Sequence, residues 1–289
     1  MDVYQIVTDK IISLLESGTV PWRKPWSAGS GMPKNLVSKK EYRGVNIFIL
    51  SAMPYSSQYW FTYKQATDLG GNVKRGEKST PVIFWKLLNK HNTDQDDDTK
   101  ATGKIPMLRM YHLFSAEQCE NIPIPPDPEE TVNPFSPIEK CEQILSGYKD
   151  RPNIHYGGNR AFYRPSEDRV QMPHEYTFNT SAGFYHVLFH ELSHSTGHKS
   201  RLARKEVMER NEFRSEDYSS EEICSDLSAS MLAGVAGISN ETIELSSSYI
   251  NGWLSVLRSD KKAIIVASAR AQASADHILG KKFTEEESE

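Results

Sequence analysis

The sequence predicts an α+β protein of two domains: an N-terminal α+β domain and a C-terminal domain in which a hairpin is set among helices. Three observations predict it. Up to about residue 120 the apolar spacing alternates between helical and strand-like. A proline-rich run, Asn121 to Pro134 (NIPIPPDPEETVNP), then interrupts it, and such a run can neither sustain a helix nor donate to a central sheet. Beyond that run, five helical segments accompany one short hairpin pattern. The division reads 1–120, a linker over 121–134, a second domain over 135–280 and an acidic tail over 281–289.

The elements follow in order. Val3, Ile6, Val7, Ile11, Leu14 and Leu15 have helical spacing, and Gly18 stops the helix. GVNIFILSAM fits either a short helix or a buried strand, because its periodicity does not decide between them. QYWFTYKQATDLGG reads as a short helix ending at Gly70 and Gly71. A basic turn follows, then a strand from Pro81 to Leu88. IPMLRMYHLFS is expected to pair back onto that strand across a polar loop that contains Asp94 to Asp98. After the linker, IEKCEQILSGYK is a helix, and AFYRPSEDRVQMP is a hairpin turning near Pro165 to Asp168. Further helices are expected at Ser220 to Gly234, Glu241 to Ser259 and Asp260 to about Leu279.

Composition narrows the function classes. With 289 residues and 38% hydrophobic content, the chain can fill two cores. No run of about 18 apolar residues is present, so no membrane partner is expected, and the first helix is amphipathic rather than a secretion signal. Cys119, Cys141 and Cys224 are odd in number and scattered, which suits a reducing compartment, and a cytoplasmic location is the expectation. The net charge of −4 is unevenly spread. Residues 1–90 carry 13 Lys and Arg against 6 Asp and Glu, a net +7, which leaves −11 for the rest. That asymmetry points to an anionic partner for the basic part.

The densest chemistry lies in FYHVLFHELSHSTGHKSR, Phe184 to Arg201. His190 and His194 are four apart and share a helical face, so both can hold one ion. Glu191 stands about 100° round the helix, where a carboxylate can act as general base without being a ligand. The H-E-x-x-H spacing thus assembles the parts of metal-assisted hydrolysis. A third protein ligand is needed. Glu222 in SSEEICSDLSAS is favoured, with Asp226 four residues on to orient a ligand histidine from behind; Glu221 and His198 are the alternatives. Tyr218 and His198 are candidate donors to a developing oxyanion. Two His and one Glu suit one divalent ion, zinc first and manganese as the alternative.

Four of the five tryptophans, Trp22, Trp26, Trp60 and Trp85, lie in the basic third, several of them beside cations. Stacked aromatics with interleaved Lys and Arg are how single-stranded nucleic acid is held, and no groove-reading motif is present. The DNA-binding candidates are Trp22, Arg23, Lys24, Trp26, Tyr42, Arg43, Trp60, Lys74, Arg75 and Lys78.

The paired helices resemble those of thermolysin-like gluzincin metallopeptidases. Over most of the chain, GTVPWRKPW, YRGVNIFIL, YWFTYKQATDLGGNVKRGEKSTPVIFWK, HELSHSTGH and YSSEEICSDL resemble the ArdC-type antirestriction proteins of plasmids and phages. That resemblance implies an N-terminal domain that binds single-stranded DNA, a zincin-like metallopeptidase domain, and protection of incoming mobile DNA from host restriction. Its metal site falls on His190, His194 and Glu222 with Glu191 as base, and its DNA surface on the WRKPW, YRG and VKRGEK segments. One departure is Asp226, where the family commonly has a glutamate. The protein substrate is unidentified, a host restriction component being one option. Two rival readings stand beside this one: a non-catalytic DNA-binding protein with a structural metal, and a cytoplasmic metallopeptidase whose basic domain binds protein.

Overall fold

The structure, a computed structural model, describes residues 2–17, 19–22, 32–89, 104–125, 137–208, 216–238 and 247–281. Helix α1 (Val3–Glu16) begins where the Asp2 carboxylate accepts the Tyr4 N–H at 3.0 Å, and it buries Val7, Ile11 and Leu15. GVNIFIL resolves as helix α2 (Val45–Ser51), entered through Gly44 at φ 58. Every residue from Val45 to Leu50 is buried, which is why the run carries no amphipathic period. The Asn46 side chain donates to the Ile83 carbonyl at 2.7 Å and accepts the Ile83 N–H at 2.9 Å, so the one polar residue of that run clamps a strand.

The expected helix over QYWFTYKQATDL is instead a strand and then a helix. Strand β1 (Lys34–Asn35) runs parallel to β2 (Tyr59–Thr62), and helix α3 (Tyr63–Asp68) starts only at Thr62, whose hydroxyl forms a capping box with Gln65. Tyr59, Trp60 and Phe61 are all buried, so they read as apolar whichever way the chain runs. Strand β3 (Asn72–Val73) follows. Strands β4 (Thr80–Asn89) and β5 (Lys104–Ser115) pair antiparallel from Thr80↔Leu113 to Asn89↔Lys104, in the order β1-β2-β5-β4. Strand β6 (Cys119–Glu120) closes a small ladder with β3. The acidic loop at Asp94 to Asp98, most of the linker and residues 282–289 of the tail lie outside the described residues.

The second half is built from helix α4 (Pro137–Gly147), strands β7 (Asn153–Tyr156), β8 (Phe162–Arg164) and β9 (Arg169–Met172), and helices α5 (Ser181–Ser195), α6 (Lys205–Met208), α7 (Glu216–Ala236), α8 (Ser247–Ser259) and α9 (Ala263–Ile278). The β8–β9 hairpin turns at Pro165–Glu167 and Asp168, as its spacing predicts. Strand β7 runs parallel to β9 and, like α6, has too short a pattern to be read from sequence. Helix α7 is already helical at Glu216, ahead of the expected Ser220, while the start expected for α8 at Glu241 lies outside the described residues.

One apolar cluster runs through both halves. It joins Val7, Ile11, Leu15, Trp22, Phe48 and Ile83 to residues of α4, α5, α7, α8 and α9. Helix α1 packs on α8 and α2 on α9. Among the described residues, no helix is long and apolar enough to cross a membrane.

Candidate metal centre

Helix α5 starts where the Thr180 hydroxyl accepts the Gly183 N–H at 3.1 Å, and it buries Phe184, Leu188, Phe189 and Leu192 in the core. Its other face is carried by His190 and His194. Helix α7 approaches α5 closely because it offers the small residues Ser225 and Ser228 there, and Ser193 Oγ donates to Ser228 Oγ at 2.9 Å. That approach brings the acids of α7 to the imidazoles of α5.

The two histidines converge: His190 Nε2 and His194 Nε2 are 3.0 Å apart. Glu222 spans the pair, with Oε2 3.5 Å from His190 Nε2 and Oε1 3.6 Å from His194 Nε2. Among the described residues, these three alone form a group that could hold an ion, with ligand atoms all within 4.8 Å of one another. Ligands about 2.1 Å from a tetrahedral ion lie about 3.4 Å apart, so the observed spacings match one ligand face. Glu191 is 7% exposed beside them.

The rear nitrogens are also held. His190 Nδ1 lies 2.9 Å from Asp226 Oδ1, and His194 Nδ1 lies 3.2 Å from Glu221 Oε1 and 3.0 Å from Ser225 Oγ. Burial disfavours a charge on His190, but Asp226 and Glu222 outweigh it and lift its pKa well above the ordinary value. The acids around the imidazoles therefore favour a cation between them, either a proton or a metal ion. Burial pushes Glu221 up, yet hydrogen bonds from His194 and Arg204 more than offset it and hold the carboxyl below its usual range. Glu221 thus faces the back of His194, not the ligand nitrogens. His198, the other alternative ligand, stands outside the cluster: α5 has ended at Ser195, and His198 Nδ1 pairs with Ser200 Oγ at 2.8 Å. The side chain of Tyr218 lies outside the described residues.

Two arginines of the segment after α5 were not singled out by sequence, where Arg in a polar loop reads as a surface residue. Arg201 makes a two-pronged contact with Asp168 at 2.8 Å for each prong and donates to the Ser195 carbonyl, tying the end of α5 to the β8–β9 turn. Arg204 is buried and binds Glu221. Gly197 admits this segment, because a Cβ there would stand 2.5 Å from Val207 Cγ2 and 3.2 Å from Arg204 Nη2.

The proposed DNA contacts divide. Trp22 is 2% exposed, its ring centroid 4.3 Å from that of Trp253, and Trp60 is 1% exposed. Tyr42 is buried too; burial pushes its phenol up to about 12, and its oxygen accepts from Asn35 Nδ2 at 3.1 Å. These three are core residues and present no face to a base, which corrects the expectation that they stack nucleobases. Arg43 is ion-paired with Asp276 on α9. Lys74, Arg75 and Lys78 are exposed, and Lys74 Nζ donates to the Glu117 carbonyl at 2.9 Å. Arg23, Lys24 and Trp26 lie outside the described residues. The exposed aromatics of this half include Trp85, 45% exposed, and Tyr111, 39% exposed, whose ring meets Phe84 edge-on at 5.5 Å.

An α+β chain whose second half sets H-E-x-x-H on one helix against an acidic helix is of the zincin-like metallopeptidase class, and residues 139–270 match the family described as zincin-like metallopeptidase. Residues 1–114 match the N-terminal domain of anti-restriction factor ArdC. The chain is 33% identical to the antirestriction protein ArdC of plasmid R388 in its Mn(II)-bound crystal structure, with a TM-score of 0.78 over 97% of this chain and 98% of that one. It is also 34% identical over 290 residues to the uncharacterized protein y4eC of Sinorhizobium fredii, covering 95% of this chain and 91% of that protein. The chain belongs to the ArdC antirestriction family. It is further 34% identical over 294 residues to the DNA primase TraC of Escherichia coli, where 96% of this chain spans only 27% of TraC.

Proposed function

We propose that this chain is an antirestriction protein of a mobile element that binds single-stranded DNA through residues 1–120 and hydrolyses peptide bonds at a metal centre in residues 135–280, the two parts joined by 121–134. It acts in the cytoplasm, where incoming DNA meets host restriction, and a restriction component is the protein substrate we favour. The observation that carries the reading is the convergence of His190, His194 and Glu222 with Glu191 beside them. His190, His194 and Glu222 hold one divalent ion, Asp226 and Glu221 fix the two rings, and Glu191 takes the proton from the attacking water and passes it to the leaving amine. The ion, when bound, supplies Lewis-acid polarisation of the scissile carbonyl. Two imidazoles and a carboxylate accept zinc or manganese, and the Mn(II)-bound relative favours manganese as the first ion to try. DNA binding rests on the match of residues 1–114 to the ArdC N-terminal domain and on exposed Lys74, Arg75 and Lys78.

The test compares the parent with Glu191→Gln, each assayed for bound metal and for cleavage of unfolded casein with and without a single-stranded oligonucleotide. Equal metal with cleavage confined to the parent supports the reading. Equal cleavage by both proteins, or none by either with metal bound, overturns the peptidase assignment.

A further inference from the structure

We propose that Arg204 is a positioning residue for the metal centre, acting on His194 through Glu221; this rests on the metal reading above. Arg204 touches no ligand. Its Nε donates to Glu221 Oε2 at 2.8 Å and its Nη2 to Glu221 Oε1 at 2.6 Å, a two-pronged contact that fixes the plane of the carboxylate. The same Oε1 faces His194 Nδ1, so the guanidinium decides which way that oxygen points. With Nδ1–H donating to Glu221, His194 keeps its Nε2 lone pair for an ion.

The rest of the guanidinium is equally committed. Nη1 donates to Thr196 Oγ1 at 2.6 Å and Ser274 Oγ at 2.7 Å, and Nη2 to the Ser193 carbonyl at 2.8 Å. All five of its N–H groups are thus engaged, by the end of α5, by α7 and by α9. A lysine cannot reproduce that fork. Arg204 also resolves the choice between neighbouring acids. Glu221 and Glu222 adjoin on α7, and the guanidinium holds Glu221 behind His194, leaving Glu222 to complete the ligand set.

The experiment measures Mn(II) and Zn(II) affinity of the full chain by chelator competition, alongside melting of the metal-free protein, for the parent, Arg204→Gln, Arg204→Lys, Glu221→Gln and the double Arg204→Gln, Glu221→Gln variant. Each single variant lowers affinity about 10- to 100-fold. The double variant is weaker than the weaker single by no more than about threefold, because both changes act through one bond to His194. Arg204→Lys does not restore the parent value. Affinity within about threefold of the parent in folded Arg204→Gln, with only the melting temperature lowered, assigns Arg204 a merely structural role and overturns the inference. If Arg204→Gln does not fold, Glu221→Gln, which keeps the side-chain shape, decides by the same criterion. A parent that binds neither ion overturns the metal reading itself.

Discussion

His190 Nδ1 and Asp226 Oδ1 meet at 2.9 Å across two helices, and this contact aims the opposite ring nitrogen at His194 and Glu222. The short Asp226 side chain thus reaches the ring across the helix pair. Asp226→Asn weakens the acceptor and admits the wrong tautomer, so metal affinity falls about 10- to 100-fold. Isothermal titration with Mn(II) checks it; unchanged affinity would remove Asp226 from the site.

Trp22 and the exposed residues of the basic half predict opposite phenotypes. Trp22→Ala empties a core site against Trp253 and Phe48 and costs about 3–5 kcal/mol of stability, leaving the salt dependence of oligonucleotide binding as it was. Arg75→Ala with Lys78→Ala lowers the slope of log affinity against log salt by about 0.7 for each phosphate no longer neutralised. Tyr111→Ala weakens binding by about 1–3 kcal/mol if its ring stacks a base. A salt slope unaltered by the basic pair would place the DNA elsewhere.

Asp168 makes acid sensitivity testable. Burial raises its pKa, but the hydrogen bonds from Arg201 and Tyr163 prevail and hold it below the ordinary carboxylate value. A depressed folded pKa contributes stability above the unfolded value of about 3.9, and that contribution is lost as pH falls through the folded pKa. Asp168→Asn therefore destabilises the protein at pH 7 by about 1–2 kcal/mol, a figure discounted for the partial exposure of the carboxylate. Urea midpoints of parent and variant converge below about pH 4. A gap independent of pH would show that packing, not charge, sets the loss.

Gly197 is a test of close approach. Gly197→Ala drives a methyl into Val207 and costs about 1–3 kcal/mol. Val207→Ala in the same chain recovers part of that loss in thermal melts, and no recovery would place the strain in the backbone.

The site was more legible in the sequence than the fold around it, for a physical reason. The i, i+4 histidines and the acids Glu222 and Asp226 occupy fixed angular positions on their helices, so spacing by itself set them on a shared face. Helix α2 offered no such signal, because a segment buried on all sides has no polar face to mark its period. Trp22, Trp60 and Tyr42 misled because an aromatic beside a lysine reads alike whether its ring faces water or core. Arg204 was silent for a related reason: its partners Glu221 and Ser274 are distant in sequence, and only the packing of α7 and α9 brings them together.

The contact of Trp22 with Trp253 bears on whether the two halves can be separated. The ring pair belongs to a core shared by the segments before and after the proline-rich run, so cutting there would expose apolar surface on both pieces. Neither piece alone would therefore keep a closed core. In TraC the match to 96% of this chain takes up 27% of that protein's length, so both halves recur there together.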